Sequence, residues 1–170
     1  DVSVVQLWRS AFPVPWLKEF ERAAKKTGVP RSYLYAITRH ESSFHPAAHS
    51  SAGAIGLLQL LPIVARRVAK LYDIRPPSKR AMRRPGVSIR LGSRYIAQLS
   101  SMFRGNRALV SAGYNAGPYA VRGWLRRQGR VATDVFVESI AYRGARRYVI
   151  RVEATARSYA WLYPEWKEGG

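Results

Sequence analysis

The sequence predicts an all-α domain. Apolar residues recur at helical spacing through most of the chain, no segment alternates at a strand's period, and Pro and Gly punctuate the periodic segments. Trp16, Leu17, Phe20, Ala23 and Ala24 form the stripe of a first amphipathic helix that ends near Gly28. Pro30 opens a second helix, at a position where a missing N–H is tolerated, and Leu34 and Ile37 carry it to about Ser42. A third begins at Pro62 and carries Val64, Val68 and Leu71. The stretch Asp73 to Gly86 holds Pro76, Pro77, Pro85 and a run of basic residues, so it reads as a surface loop. A fourth helix follows with Ile89, Tyr95, Ile96, Leu99 and Phe103. Asn106 to Ala116 and Pro118 to Gln128 read as two short helices broken at Gly117-Pro118. A short helix around Asp134 to Ile140 and a long one from about Arg146 to Leu162 complete the list.

At 170 residues the chain fits one domain over 1–170, with a core at about 7–163 and tails at either end. Such a chain buries roughly 70% of its unfolded surface without metal or disulfide support. Lys and Arg number 29 against 10 acids, a net charge of +19, which points to a polyanionic partner: nucleic acid, an anionic membrane or an acidic cell wall. The absence of cysteine removes thiol catalysis, thiolate metal sites and disulfides. No basic n-region opens the chain, and Asp1 to Val5 reads as the stump of an upstream module. The longest apolar stretch, Ala54 to Ala65, is too short to span a membrane and is interrupted by Gln59 and Pro62.

Glu41 is the residue around which a function can be built. It ends an apolar-periodic segment, the next acid is Asp73 in the basic loop, and Ser42-Ser-Phe-His-Pro46 follows at once. A solitary carboxyl in a basic chain reads as a general acid. Three further segments accompany it: Ser50-Ser-Ala-Gly-Ala-Ile-Gly-Leu-Leu-Gln-Leu-Leu-Pro62, Ala112-Gly-Tyr-Asn-Ala-Gly-Pro118, and Phe136-Val-Glu-Ser-Ile-Ala-Tyr142 followed by Arg146-Arg-Tyr-Val149. Gly53 and Gly56 permit close backbone approach to a sugar, and the Gln59 amide both donates and accepts hydrogen bonds.

In order and spacing the four segments resemble the soluble lytic transglycosylase family of the lysozyme-like superfamily, over roughly residues 7 to 163. The resemblance implies a compact, goose-type-lysozyme-like helical domain that cleaves the β-1,4 bond between N-acetylmuramic acid and N-acetylglucosamine in peptidoglycan. The muramic acid 6-hydroxyl, not water, attacks C1 and leaves a 1,6-anhydro end. It implies that Glu41 is acid and then base, with the substrate's 2-acetamido group in place of a second carboxylate, an exception to the paired-carboxylate rule. It implies that Ser50, Leu58, Gln59, Tyr114 and Tyr148 line the glycan cleft. Asn115 is expected to satisfy backbone groups, and Glu138 to hold the site together from deep in the fold. No cofactor or metal is implied, and the partner is a peptidoglycan strand in the cell envelope, most naturally the periplasm. The chain is expected as a monomer or as part of a larger cell-wall protein.

Departures from the family pattern lie in the closing segment. Ile140-Ala-Tyr142 and Gly144-Ala-Arg146 stand where the family reads Ile-Pro-aromatic and Glu-Thr-Arg, which removes an acid and a threonine beside Arg146. Leu58 and Leu61 replace methionines of similar volume. Three other functions compete. A water-using lysozyme-type hydrolase would share the fold and the acid. A metal hydrolase would gather His40, His45 and His49 around Glu41, but the zincin pattern needs His at i and i+4 and here Phe44 takes that place. A nucleic-acid binder is favoured by charge alone, with no readout motif. Finally, a charge of +19 favours an ionised carboxylate, so an acid catalyst here requires Glu41 in a water-poor cleft, walled by groups such as Leu58 and Tyr114.

Overall fold

A computed structural model describes residues 4–129 and 132–166. Ten helices run through them: α1 Val4–Ala11, α2 Leu17–Thr27, α3 Arg31–Ser42, α4 Pro62–Leu71, α5 Lys79–Met82, α6 Pro85–Met102, α7 Arg107–Ala116, α8 Pro118–Gln128, α9 Thr133–Ser139 and α10 Arg143–Leu162, closed by a 3₁₀ turn at Pro164–Trp166. The all-α expectation is met, with isolated bridges His49–Ile55 and Ile55–Leu60 as the strand-like pairing among the described residues.

Local chemistry explains most boundaries. Pro62, Pro85 and Pro118 each stand in the first turn of a helix, where the lost N–H had no intrahelical partner. Gly28 ends α2 in the left-handed conformation at φ 71°, its N–H returning to the Ala24 carbonyl. The Asn106 side chain caps α7 by accepting from the Leu109 N–H.

The central element is α3, in which every residue from Ser32 to Thr38 is buried. A helix buried on all sides needs no single apolar stripe. It packs against α10 and α2, and the Tyr33 hydroxyl reaches across to the Arg107 carbonyl and Ser111 Oγ of α7. Tyr148, Val152, Ala156 and Tyr159 of α10 are buried, at i, i+4, i+8 and i+11 along that helix. This packing carries the C-terminal turn of α3, and with it Glu41, to the edge of the core.

Two elements escaped the periodicity. Helix α1 has no buried residue and is tied down from a distance, Arg9 donating from Nε (3.0 Å) and Nη2 (2.8 Å) to the Leu162 carbonyl. Helix α5 is a single turn inside the expected Pro-rich loop, capped by Ser78 Oγ, which accepts from the Ala81 N–H at 3.1 Å, and anchored by buried Met82. The boundary at 163 also falls too early. Trp166 is buried and stacks on Tyr163 with ring centroids 4.7 Å apart, so at least three more residues belong to the core.

Candidate active site

Glu41 occupies the last turn of α3, partly buried. Its carboxyl pKa is raised to about 7, chiefly because burial penalises the charged form, and a hydrogen bond from Tyr148 Oη to Oε1 (2.6 Å) opposes part of that rise. A helix C-terminus, negative by its dipole, disfavours an anion in the same direction. No neighbouring carboxylate is needed to explain the shift. The flanking cations turn elsewhere: Arg39 Nη1 donates to the Ala11 carbonyl at 2.8 Å and its guanidinium covers the Phe12 ring, while His40 faces α10. Glu41 therefore escapes the cationic field its sequence neighbours would impose.

The two tyrosines divide the work differently from the expectation. Tyr148, expected as cleft wall, is the residue that donates to the carboxyl. Tyr114 gives its hydroxyl proton to the Leu58 carbonyl instead. It still lies close enough that the Glu41 charge joins burial in pushing its phenol pKa well above the usual value.

Leu58 does not line the cleft. It has no exposed surface, and its side chain packs so tightly over Gly92 that a Cβ there would come within 2.6 Å of it. What Leu58 contributes is backbone. The segment from Ala48 to Leu61 is pinned beside Glu41 at its peptide groups: Ser42 Oγ donates to the Leu57 carbonyl at 2.8 Å, Leu58 N–H donates to Ser88 Oγ at 3.1 Å, and Tyr114 takes the Leu58 carbonyl. Gln59, in the left-handed region at φ 39°, sends Nε2 to the Ala48 and Gly56 carbonyls at 3.0 and 2.8 Å. Both partners accept only, so the amide is oriented and its oxygen remains to accept from a ligand. Ser50 Oγ accepts from the Ala54 N–H at 3.0 Å, which closes the turn and leaves its own proton to donate. Gly56 is buried, and its close approach is to the Met82 carbonyl of α5, not to a sugar.

Asn115 is exposed, and with Gln59, Tyr114, Arg67, Tyr95 and Tyr119 it lines a depression of about 290 Å³ beside this segment. Glu138 is not deep in the fold. Its side chain is 74% exposed and pairs with Arg146 at 3.4 Å, an ion pair that survives the missing family acid because Arg146 also donates to the Glu138 carbonyl at 2.7 Å. His45 and His49 are exposed, and no cluster of three His, Asp or Glu side chains able to hold a metal stands among the described residues. Ser42 and Ser88 carry no signal in the sequence, since a hydroxyl bonded to a distant backbone group leaves no mark in local sequence.

Comparison with known proteins places this geometry in a family. Residues 18–137 match the pattern of the Transglycosylase SLT domain. The soluble lytic murein transglycosylase of Escherichia coli K12 is 35% identical over 92% of this chain, and that of Salmonella typhimurium 36% over 88%. The membrane-bound lytic murein transglycosylase C of Histophilus somni is 29% identical over 85%. Among solved structures, the lytic transglycosylase Slt of Pseudomonas aeruginosa, an inactive mutant, superposes with a TM-score of 0.87 at 39% identity over 92% of this chain. The 70 kDa soluble lytic transglycosylase of E. coli does so with 0.87 at 35% identity over 91%. The chain spans about a quarter of the length of these soluble relatives: 25% of the E. coli protein and 25% of the Pseudomonas chain. Fold, matched residues and coverage agree, and this chain belongs to the Transglycosylase SLT domain family, with its all-α lysozyme-like architecture.

Proposed function

We propose that this domain is a peptidoglycan lytic transglycosylase that cleaves the β-1,4 bond on the C1 side of N-acetylmuramic acid without water, Glu41 serving as acid and then base. The observation that carries the proposal is a single carboxyl whose pKa burial lifts to about 7, near enough to neutrality to give and retake a proton, and which Tyr148 orients. Because Tyr148 donates to Oε1, the carboxyl proton sits on Oε2, the oxygen left to face substrate. That proton passes to the glycosidic oxygen as the C1–O bond breaks. The muramic acid 6-hydroxyl oxygen then bonds to C1 and its proton returns to Glu41, so the carboxyl is restored and no water is consumed. Ser50 Oγ and the Gln59 carbonyl oxygen supply one donor and one acceptor beside the site for the sugar's polar groups. The solved Pseudomonas relative carries a glutamate-to-glutamine replacement and is inactive, the outcome expected here for Glu41→Gln.

The substrate puts the domain's work in the cell envelope, in the periplasm or outside the cell, and no helix among the described residues is long and apolar enough to cross a membrane. The excess of Lys and Arg, 29 against 10 acids, draws the domain to the anionic wall. Mass spectrometry of digested sacculi tests the proposal. Muropeptides one water lighter than lysozyme products, without a reducing end, are expected; mainly reducing muramic acid ends would replace the transglycosylase with a hydrolase while keeping Glu41 as the acid.

A further inference from the structure

His40 precedes the acid in sequence, yet its ring turns away from the carboxyl and grips α10. Nε2 lies 2.8 Å from Thr155 Oγ1 and 3.2 Å from the Arg151 carbonyl oxygen. A carbonyl only accepts, so Nε2 carries the proton and the neutral ring leaves Nδ1 as acceptor. Tyr148, Arg151 and Thr155 follow one another at i, i+3 and i+7, one face of α10. Two consecutive residues of α3 therefore hold successive turns of the same face: Glu41 through the Tyr148 hydroxyl, His40 through Arg151 and Thr155. The rings of His40 and Tyr148 also meet edge to face, with centroids 6.4 Å apart.

We infer that His40 is a positioning residue for the reaction, fixing the register of α10 against the end of α3 so that the Tyr148 hydroxyl stays on the Glu41 carboxyl. The inference rests on the proposed role of Glu41. The apolar contacts between the two helices, through Val152 and Ala156, are non-directional and do not set a register to a fraction of an ångström. A 2.6 Å hydrogen bond requires that accuracy, since one residue's rise along a helix is about 1.5 Å and the bond fails well within it. Protonation of His40 does not undo the clamp, because Nε2–H donates in either state. Burial is the main effect disfavouring that protonation; the hydrogen bond to the Arg151 carbonyl opposes it, and the charges of Arg151 on α10 and Arg39 on α3 add to it. Around Glu41 stand Tyr148 from α10 and Tyr114 from α7.

The test compares His40→Ala, His40→Gln and His40→Asn in the whole chain. The Gln amide nitrogen reaches about where Nε2 sits, whereas the shorter Asn does not. The first readout is the titration of the Glu41 carboxyl followed by carbon NMR, which needs no activity. Because the Tyr148 bond holds the Glu41 pKa down, His40→Ala and His40→Asn should raise it, and His40→Gln should leave it near that of the unaltered chain. The second readout is glycan cleavage. His40→Ala should lower kcat by about fivefold to tenfold, the worth of one oriented hydrogen bond, with KM within twofold. Adding His40→Ala to Tyr148→Phe should cost nothing more, since the clamp acts only through that hydroxyl. An unmoved Glu41 titration in His40→Ala, equal behaviour of Asn and Gln, or additive losses with Tyr148→Phe would each overturn the inference. If His40→Ala does not fold, the Gln and Asn pair decides. Failure of the functional proposal would show separately, as active Glu41→Gln with the carboxyl titrations unaffected.

Discussion

Replacing Glu41 by Gln should abolish cleavage and, above pH 7, make the protein more stable. Gln is nearly isosteric and keeps an amide oxygen where Oε1 accepts from Tyr148. In the folded chain the Glu41 carboxyl has a pKa of about 7, whereas the ordinary value is 4.5. Between those values the folded state holds a proton that the unfolded state has lost, so stability falls as pH rises through the window and levels off above it. At 1.36 kcal/mol per pH unit, keeping the ionised carboxylate in the fold costs at most about 3 kcal/mol. Gln never ionises. The stability difference between variant and parent should therefore be near zero at pH 4.5 and grow to as much as about 3 kcal/mol at pH 8, or roughly 6–12 °C in Tm for a domain of this size. Urea and thermal unfolding of both chains at half-unit steps from pH 4 to 9 would measure it, because every other titration cancels in the difference. Cleavage should fall by about 10²–10⁴ or more, the usual worth of general acid–base assistance. Parallel stability profiles, or a variant destabilised at pH 8, would mean that Glu41 is hydrated and ionised at neutral pH, and the desolvation argument would fail.

Tyr148→Phe removes the bond that holds the Glu41 pKa down, so the alkaline limb of the pH–rate profile should move to higher pH with a loss in kcat of about tenfold. Tyr114→Phe should leave that limb in place, since its hydroxyl serves the Leu58 carbonyl, and should instead destabilise by about 1–3 kcal/mol through the orphaned carbonyl. Gly53→Ala and Gly56→Ala share a left-handed backbone, at φ 83° and 85°, but only at Gly56 does a new Cβ overlap the Met82 carbonyl oxygen. Gly56→Ala should therefore cost clearly more in urea unfolding than the roughly 1–2 kcal/mol expected at Gly53.

The helices were legible in the sequence because most of them pair a one-sided apolar stripe with a Pro or Gly terminator. Helix α1 was not, because what holds Val4–Ala11 is the reach of Arg9 to Leu162, an interaction across the whole chain. The candidate acid was legible too, since Glu41 is isolated in sequence and followed by recognisable segments. The placement of its surroundings was less so. Leu58 and Tyr114 sit in those segments as an apolar and an aromatic residue, and nothing local says which way a side chain faces. The leucine turned inward over Gly92, and the phenol was drawn to a buried carbonyl that had no other partner within its own segment. Tyr148 reaches Glu41 across 107 residues, through the packing of α10 on α3. Glu138 lies in a short helix whose buried residue is Phe136, and the position two residues on, at about 200° around the helix, faces solvent.

A protein of charge +19 and an acid with a pKa near 7 are compatible because the cations are spent at other places. Arg39 is drawn to the end of α1, Arg9 to the Leu162 carbonyl, Arg31 to the Trp166 carbonyl, Arg107 to Glu153 at 3.2 Å and Arg146 to the end of α9, and what sets the Glu41 pKa is burial opposed by Tyr148. Burial governs Glu41 at a few ångströms, while solvent screens the outer charges beyond roughly 8–10 Å at physiological salt. The two effects should then separate experimentally. Raising salt from 0.05 to 0.5 M should strongly weaken sedimentation of the protein with intact sacculi, where many exposed cations act together, while turnover of a short soluble glycan changes by less than about twofold. Suppression of both to the same degree would show that surface charge reaches the reacting carboxyl, and Glu41 could then no longer be treated as insulated from the field of its own protein.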